Sequence, residues 1–551
     1  MGNPLSSSSS SSLSENVSSS MEESVDSSLS FPKGEDGFKV FDKSYFEPIS
    51  NLNDSKETSL VKFGDRIDEI DASSSFKMFL AGEEAPVYKV KINQARVWNK
   101  DTPERENSSV SSFSLKGKVK VFLQCSFNPK DDVTIRPLGR KIEYSVDKAR
   151  WVITFSIDTP GQYLIETRYR TLHLFVNELK ETPSNAIIFK AGLHTKENDT
   201  RINQNDEIIL HNGNNVYLEE GAIVRAKFKA YDAYNFSIKG PGFIDGSTFI
   251  RDVDKNIANV PLDISFSENI ELEDFAILDP AGWAYNLYFS KNINIKNTKV
   301  ISSRSNGDGI SIQSCKYVNV DSCFVRSWDD SLVVKNYVNW RNSYEGETYS
   351  IHFSNCLIVT DLAQSMEIGY ECIGEKMEDI TFDNMSILHA YHKPIFSIHN
   401  GNNAKIRGVK YSNITVEDCS IGKGDGTSNL FDFDVSHSST WSDNHKITPL
   451  GDIDNVSIKN IKVLSGISSP KIKIKGSLET RSQYPNLVHK ITNVSFEDVE
   501  IYGQKIDTNY ANLETKYAEG VTFNKTNDDV TGAIYSKKDV SSFSANIQRI
   551  K

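Results

Sequence analysis

The chain has 551 residues, a formal net charge of −12, 38 % apolar and 25 % charged residues. That length exceeds one ordinary domain, and no apolar run approaches the roughly eighteen residues of a membrane helix. An acidic balance with no basic stripe argues against nucleic acid and, more weakly, against polyanions, leaving neutral partners favoured.

Residues 1–36, with the serine run Ser6 to Ser12, cannot bury enough apolar surface to offset chain entropy and are expected to be a disordered tail. They lack the basic-then-apolar order of a secretory leader, so a cytoplasmic location follows by default unless another route exports the chain. Met1-Gly2 with Ser6 fits only a loose myristoylation pattern. Residues 37–75 read as an extended arm, with Phe38, Phe41, Tyr45 and Phe46 available to pack on the next stretch of chain.

Between 76 and 182 the apolar residues alternate with period two in short runs such as Val87–Ile92, Lys118–Leu123, Trp151–Ile157 and Leu172–Val176. Turn chemistry at Asn128-Pro129 and Thr159-Pro160-Gly161 separates them. Short strands without helices predict a small antiparallel β-sandwich.

A repeat then takes over. Ten-residue segments beginning at Ile270, Ile293, Val318, Ile351, Ile380, Val409, Val456 and Val494 share apolar residues at positions one, three and eight and a polar pair at four and five. Their starts are 23 to 38 residues apart, with one step of 47. Between copies lies a second alternating strand: Gly309–Gln313, Ser331–Lys335, Ser365–Gly369, Pro394–Ile398 and Asn429–Phe433. Units of two or three strands cannot bury an apolar face alone and must stack. A right-handed parallel β-helix over 183–505 is the expected result, with 506–551 as a C-terminal tail. The fold class is therefore all-β.

The six cysteines have no CxxC or metal-ligand spacing and read as reduced, buried thiols, with Cys323 and Cys356 in one internal column. No metal, cofactor or second chain is called for, and a monomer is expected.

Two rungs of this helix are entered through acidic residues, Asp308 before the first and Asp329-Asp330 before the second. Pairing Gly309-Ile310-Ser311-Ile312 with Ser331-Leu332-Val333-Val334 puts Asp308 beside Asp330, about 4.8 Å away, with Asp329 one residue outward. Like charges that close push a pKa upward, so one acid can stay protonated beside ionised neighbours. That is the equipment for splitting an acetal. The same register turns Lys335, Glu367 and His399 outward as cleft residues, with Gln364 at the next rung's entry. Trp328 and Tyr370, with Tyr337, Trp340 and Trp283, offer flat faces for sugar rings. Glu367 is expected to be exposed and His399 neutral.

The sandwich, the repeat and the three aspartates together resemble the polygalacturonase-type glycoside hydrolases of the pectinase superfamily, glycoside hydrolase family 28. Asn306-Gly-Asp-Gly309 is similar to the family's Asn-Thr-Asp motif and Trp328-Asp-Asp-Ser331 to its Asp-Asp motif. The resemblance implies an inverting hydrolase of a polysaccharide or oligosaccharide, with Asp329 as general acid and Asp308 and Asp330 activating water. The family's Gly-His-Gly segment falls on Ala363-Gln364-Ser365 and its Arg-Ile-Lys segment on Ser397-Ile398-His399. The basic pair that recognises a galacturonate carboxylate is thus replaced, which favours a neutral glycan. A dextranase- or isopullulanase-like α-glucan hydrolase, a lyase using Lys335, and a non-catalytic glycan-binding β-helix remain as alternatives.

Overall fold

A computed structural model describes residues 31–47, 59–94, 105–130, 132–252, 258–422, 427–438, 440, 442, 449–479, 482–524 and 547–549. The serine run and the Gly2 pattern lie outside them. Among the described residues the regular secondary structure is strand, apart from two short 3-10 turns.

The expected tail boundary at residue 36 does not hold, because 31–36 are anchored. Lys33 and Lys39 form an isolated antiparallel bridge, both ammonium groups lie over the Trp151 ring, and Phe31 meets Phe41 edge-on at 5.6 Å. Phe46 stacks on Phe79 at 3.7 Å, which seats this segment on the outer face of the sandwich.

The sandwich has a five-stranded antiparallel sheet containing Phe76–Leu80, Val119–Cys125 and Val152–Ile157, and a seven-stranded partner sheet. The partner is centred on Glu106–Lys116, which runs antiparallel to Ser59–Lys62 and Tyr88–Ile92 but parallel to Thr171–Glu178. Alternation turns one side of each strand into a shared core of Met78, Leu80, Val121, Leu123, Phe155 and Leu174. The other side of the seven-stranded sheet, with Val110, Leu164 and Phe175, packs on Ile223, Phe243, Ile301, Phe324 and Val359 of the coils. A buried ion pair sits at this junction: Arg326 donates to both oxygens of Asp361, at 3.1 and 2.9 Å, and lies 3.3 Å from His173 of the sandwich.

The remaining chain winds into a parallel β-helix. One 22-stranded sheet carries the ten-residue repeats, and an 11-stranded sheet carries the strands between them. Each repeat's first and third residues point inward, so Ile270, Ile293, Val318, Ile351, Ile380, Val409, Val456 and Val494 stack in one buried column. Cys323 and Cys356 occupy another such column, and all six cysteines are free and buried. Asparagine suits the left-handed corners at Asn269, Asn292, Asn297, Asn355 and Asn384, because its short amide tolerates that backbone and bonds locally. The amides form ladders, as where Asn292 donates to Asn269 at 3.0 Å.

The stack continues past residue 505. Leu513–Lys516 pairs with Lys471–Lys475 and Thr522–Asn524 with Ile491–Ile501, while Ile547–Arg549 returns to the sandwich beside Ser59–Lys62. The described parts of 506–551 therefore pair with both units rather than forming a tail.

Candidate functional site

The 11-stranded sheet builds the site. Its rungs Tyr285–Tyr288, Ile310–Gln313, Leu332–Asn336, Met366–Cys372, Phe396–Asn400, Asn429–Val435 and Lys471–Lys475 are successive parallel neighbours. Ile310 pairs with Leu332 and Leu332 with Met366, as Ile312 does with Val334 and Val334 with Ile368, all facing the core. The intervening residues form outward columns.

At the rung entries, Gly309 N donates to Asp330 O at 2.8 Å, Ala284 N to Asp308 O at 3.0 Å and Ser331 N to Gln364 O at 2.9 Å. These bonds line up Trp283, Asp308, Asp330 and Gln364 on four consecutive rungs. Gly309 permits the approach, because a Cβ there would lie 2.3 Å from Ser331 O and 2.4 Å from the Val325 side chain. Asp308 is buried, while Asp329 and Asp330 are half-buried. Asp330 N donates to Asp329 Oδ1 at 3.1 Å, and Gln364 N donates to Asp330 Oδ1 at 3.1 Å.

Burial and then the Asp329 charge push the Asp308 carboxyl far above its usual range, with Lys335 opposing. Burial, then Asp329 and Glu367, push Asp330 the same way. Asp329 is raised by burial, and Lys335 and Arg251 pull it back. Among neighbouring carboxylates, Asp329 acts first on both Asp308 and Asp330. The three titrate as one unit.

Lys335 ends the second rung. Its Nζ lies 3.1 Å from Glu371 and over the Trp283 ring at 5.8 Å. Burial would lower its pKa, but Glu371, Tyr337, Asp308 and Asp330 outweigh that and keep it protonated. Its expected neighbour in the next rung, Gly369, is displaced. The pairing shifts after Val334, so that Asn336 meets Cys372. Gly369 carries the irregularity at φ +127, where a Cβ would collide with His399 O at 2.1 Å. The extra chain brings Glu371 to Lys335 and lays Tyr370 flat on His399, with ring centroids 4.3 Å apart.

That displacement corrects two expectations. Glu367 is buried rather than exposed, at 1 %, accepting from Ser397 Oγ and, at 2.8 Å, from His399 Nδ1. His399 is cationic rather than neutral: burial would discharge it, but Glu367 and Asp432 flank it and raise its pKa to about 10. Its Nε2 lies 3.7 Å from Asp432, which is 2.9 Å from Lys473 Nζ. Glu367, Ser397, Asp432 and Lys473 form one outward column, and His399, from the column beside it, sets its charge between the two carboxylates. A third correction concerns Trp328, which is 1 % exposed and offers no face to a ligand. It sits behind the acidic rung, whereas Trp283, Tyr337 and Tyr370 are partly open.

Several residues here escaped the sequence reading. Asp432 and Lys473 were findable, because the alternation in Asn429–Val435 and Lys471–Lys475 continues the outward column. Glu371 depends on the bulge, and Arg251, bonded to Asn306 Oδ1, comes from an irregular loop. Among the described residues no group of three or more His, Cys, Asp or Glu is arranged to hold a metal. A groove of about 990 Å³ lies elsewhere, between the sandwich and the coil corners at Asn297, Asn384 and Asn413.

Comparison with known proteins bears on this geometry. Residues 188–424, which hold all three aspartates, match the family model of glycosyl hydrolases family 28. Over those residues, fewer than half of the 551 in the chain, the sequence is similar to that family. Among solved structures it is similar to Dex49A from Penicillium minioluteum, with 14 % identity, TM-score 0.59, and 84 % of this chain and 96 % of that one covered. A family 28 exopolygalacturonase from Yersinia enterocolitica matches over the same shares at 11 % identity and TM-score 0.38. The first likeness is one of fold. No curated protein matches the chain. Among the described residues no helix is long and apolar enough to cross a membrane.

Proposed function

We propose that this chain hydrolyses glycosidic bonds in a polysaccharide or oligosaccharide with inversion of the anomeric centre. Asp329 protonates the departing glycosidic oxygen. Asp308 and Asp330 hold a water on the opposite face of the sugar and take its proton as its oxygen bonds to the anomeric carbon. The carbon–oxygen bond to the leaving sugar breaks, and each partner ends with a hydroxyl. Inversion requires acid and base carboxyls about 6.5–9.5 Å apart, leaving room for that water.

The observation that carries this reading is the alignment of Asp308 with Asp330 on adjacent rungs, with Asp329 next to Asp330 and both of that pair half open to solvent. Three carboxylates are expensive to bury together, and raised pKa values at a cleft are what acid–base chemistry near neutral pH uses. In the empty cleft the rise is greater for Asp308 and Asp330 than for Asp329. The proton moves within the coupled set when sugar displaces water over Asp329.

The substrate in this proposal is a neutral glycan. Asp308, Asp329, Asp330, Glu367 and Glu371 outnumber Lys335, His399 and Arg251, and the first two of those cations are already engaged by carboxylates. A uronate would meet repulsion without a paired cationic clamp. Dextran- and pullulan-type α-glucans come first among neutral candidates, through the resemblance to the dextranase and isopullulanase family. A lyase is disfavoured, because Lys335 is kept protonated and cannot serve as base.

The test is incubation of the purified chain with a panel of neutral and acidic glycans. Released reducing ends, with the first-formed anomer followed by proton NMR, are expected from a neutral glycan with inverted configuration. A retained anomer, an unsaturated product, or no release from any glycan contradicts the proposal.

A further inference from the structure

The outward column that ends at Lys335 begins four rungs earlier. Tyr231, Ser265, Tyr288, Gln313 and Lys335 are register partners on successive strands, each step being about 4.8 Å. Over its far end folds the excursion 337–346, a hairpin closed by the Val338–Glu345 bridge. Tyr288 OH donates to Val338 O at 2.7 Å and accepts from Trp340 N at 3.3 Å. Arg341 lies 3.5 Å over the Phe266 ring and 4.5 Å over Tyr231, and its guanidinium is paired with Asp232 at 2.6 Å.

The result is a shelf of aromatic rings whose upper faces are left to solvent. Trp340 is 61 % exposed, Tyr344 73 % and Tyr231 53 %. Trp340 leans on Tyr231 at 5.8 Å and meets Phe266 edge-on at 5.2 Å, so its ring is braced from below and open above. Exposed apolar rings gathered and rigidly held in one place are uncommon on a soluble surface unless something covers them. Tyr344 has no role in the coil core, and nothing in strand pairing requires a tryptophan at 340.

We propose that this shelf is a remote binding subsite for an uncharged glycan chain, laid along the β-helix from the acidic rungs toward the N-terminal coils. This rests on the hydrolase reading for the chain's other end, but the subsite can be tested without it. The ring faces suit the apolar face of a pyranose. Between the shelf and the aspartates runs a row of amides and a carboxylate already oriented for hydroxyl groups: Asn286 donates to Asp263 at 2.8 Å and accepts from Gln313 at 2.6 Å. Below that row, Ser311 is 1 % exposed and its hydroxyl has no partner among the described residues. The shelf's cation, Arg341, is committed to Asp232, so a polyanion gains nothing there. Shelf and acidic rungs share one sheet face, which makes a single extended chain the occupant rather than a second protein.

The experiment is native affinity electrophoresis through gels containing dextran, pullulan, mixed-linkage β-glucan or polygalacturonate. It uses the Asp329→Asn chain, so that the gel matrix is not digested. The proposal expects at least one neutral polysaccharide to retard this protein. Adding Trp340→Ala and Tyr344→Ala should weaken the apparent affinity at least tenfold at an unchanged melting temperature, with Trp340→Phe restoring most of it. Equal retardation of the shelf variant, retardation by polygalacturonate alone, or no retardation by any gel overturns it. Shelf-dependent retardation by a glycan that the wild type never cleaves would uphold the shelf and dispose of the hydrolase reading. Cleavage with shelf-independent retardation would do the reverse.

Discussion

His399 Nδ1 lies 2.8 Å from Glu367 Oε1, with Asp432 on the imidazole's other side and Tyr370 stacked on its face. The ring holds its proton to about pH 10, against an ordinary value of 6.5. Between those values the folded chain binds this proton more tightly than the unfolded chain does, so stability must fall as pH rises through the window. The contribution is complete below about pH 6.5 and gone above about pH 10. His399→Asn should therefore lower the melting temperature most at about pH 6 and progressively less toward about pH 10. A difference that grows with pH would contradict this account of the ladder.

Lys335 is the cation nearest the three aspartates, and it opposes the rise in all three carboxyl pKa values. Lys335→Met removes that opposition while keeping an unbranched side chain of similar length. The acidic limb of the rate profile should move to higher pH by about one unit or more. The measurement is kcat/KM against pH on whichever glycan the wild type cleaves. An unmoved limb with only KM altered would make Lys335 a simple substrate contact.

Arg326 and Asp361 are both essentially sealed, at 2 % and 0 % side-chain exposure, beneath the sandwich. Asp361→Ala leaves a buried guanidinium facing His173, and should cost about 3–5 kcal/mol in denaturant unfolding. Replacing both partners by Met and Leu should cost much less, because no uncompensated charge remains. Similar losses in the single and double variants would mean that the pair acts through packing alone.

The rungs were legible because each must turn alternate residues inward, and that period of two survives in Ile310–Gln313, Leu332–Asn336 and Phe396–Asn400 without help from neighbours. Register followed from the same constraint, since a slip by one residue would expose Ile312 or Val334. What stayed hidden has equally plain causes. Glu106–Lys116 is half serine in its alternating stretch, so its burial of Ser109 and Ser111 left no apolar signal. The Gly369 irregularity is an insertion in one rung, invisible until the next rung is laid beside it. Trp328 looks like a sugar platform in one dimension and is packing in three. The aromatic shelf needed the hairpin at 337–346 to fold back over rungs some fifty to a hundred residues earlier in the chain, as the Arg341 contacts to Asp232 and Tyr231 show.

The most direct test of the account is Asp329→Asn. Hydrolysis of the glycan that the wild type cleaves should fall by about 10²–10⁴-fold, the usual worth of a positioned general acid. Strand content and melting temperature should stay at or above wild type, since a half-buried carboxylate beside two others has been neutralised. Turnover near the wild-type rate in a folded Asp329→Asn protein would contradict the three-aspartate mechanism.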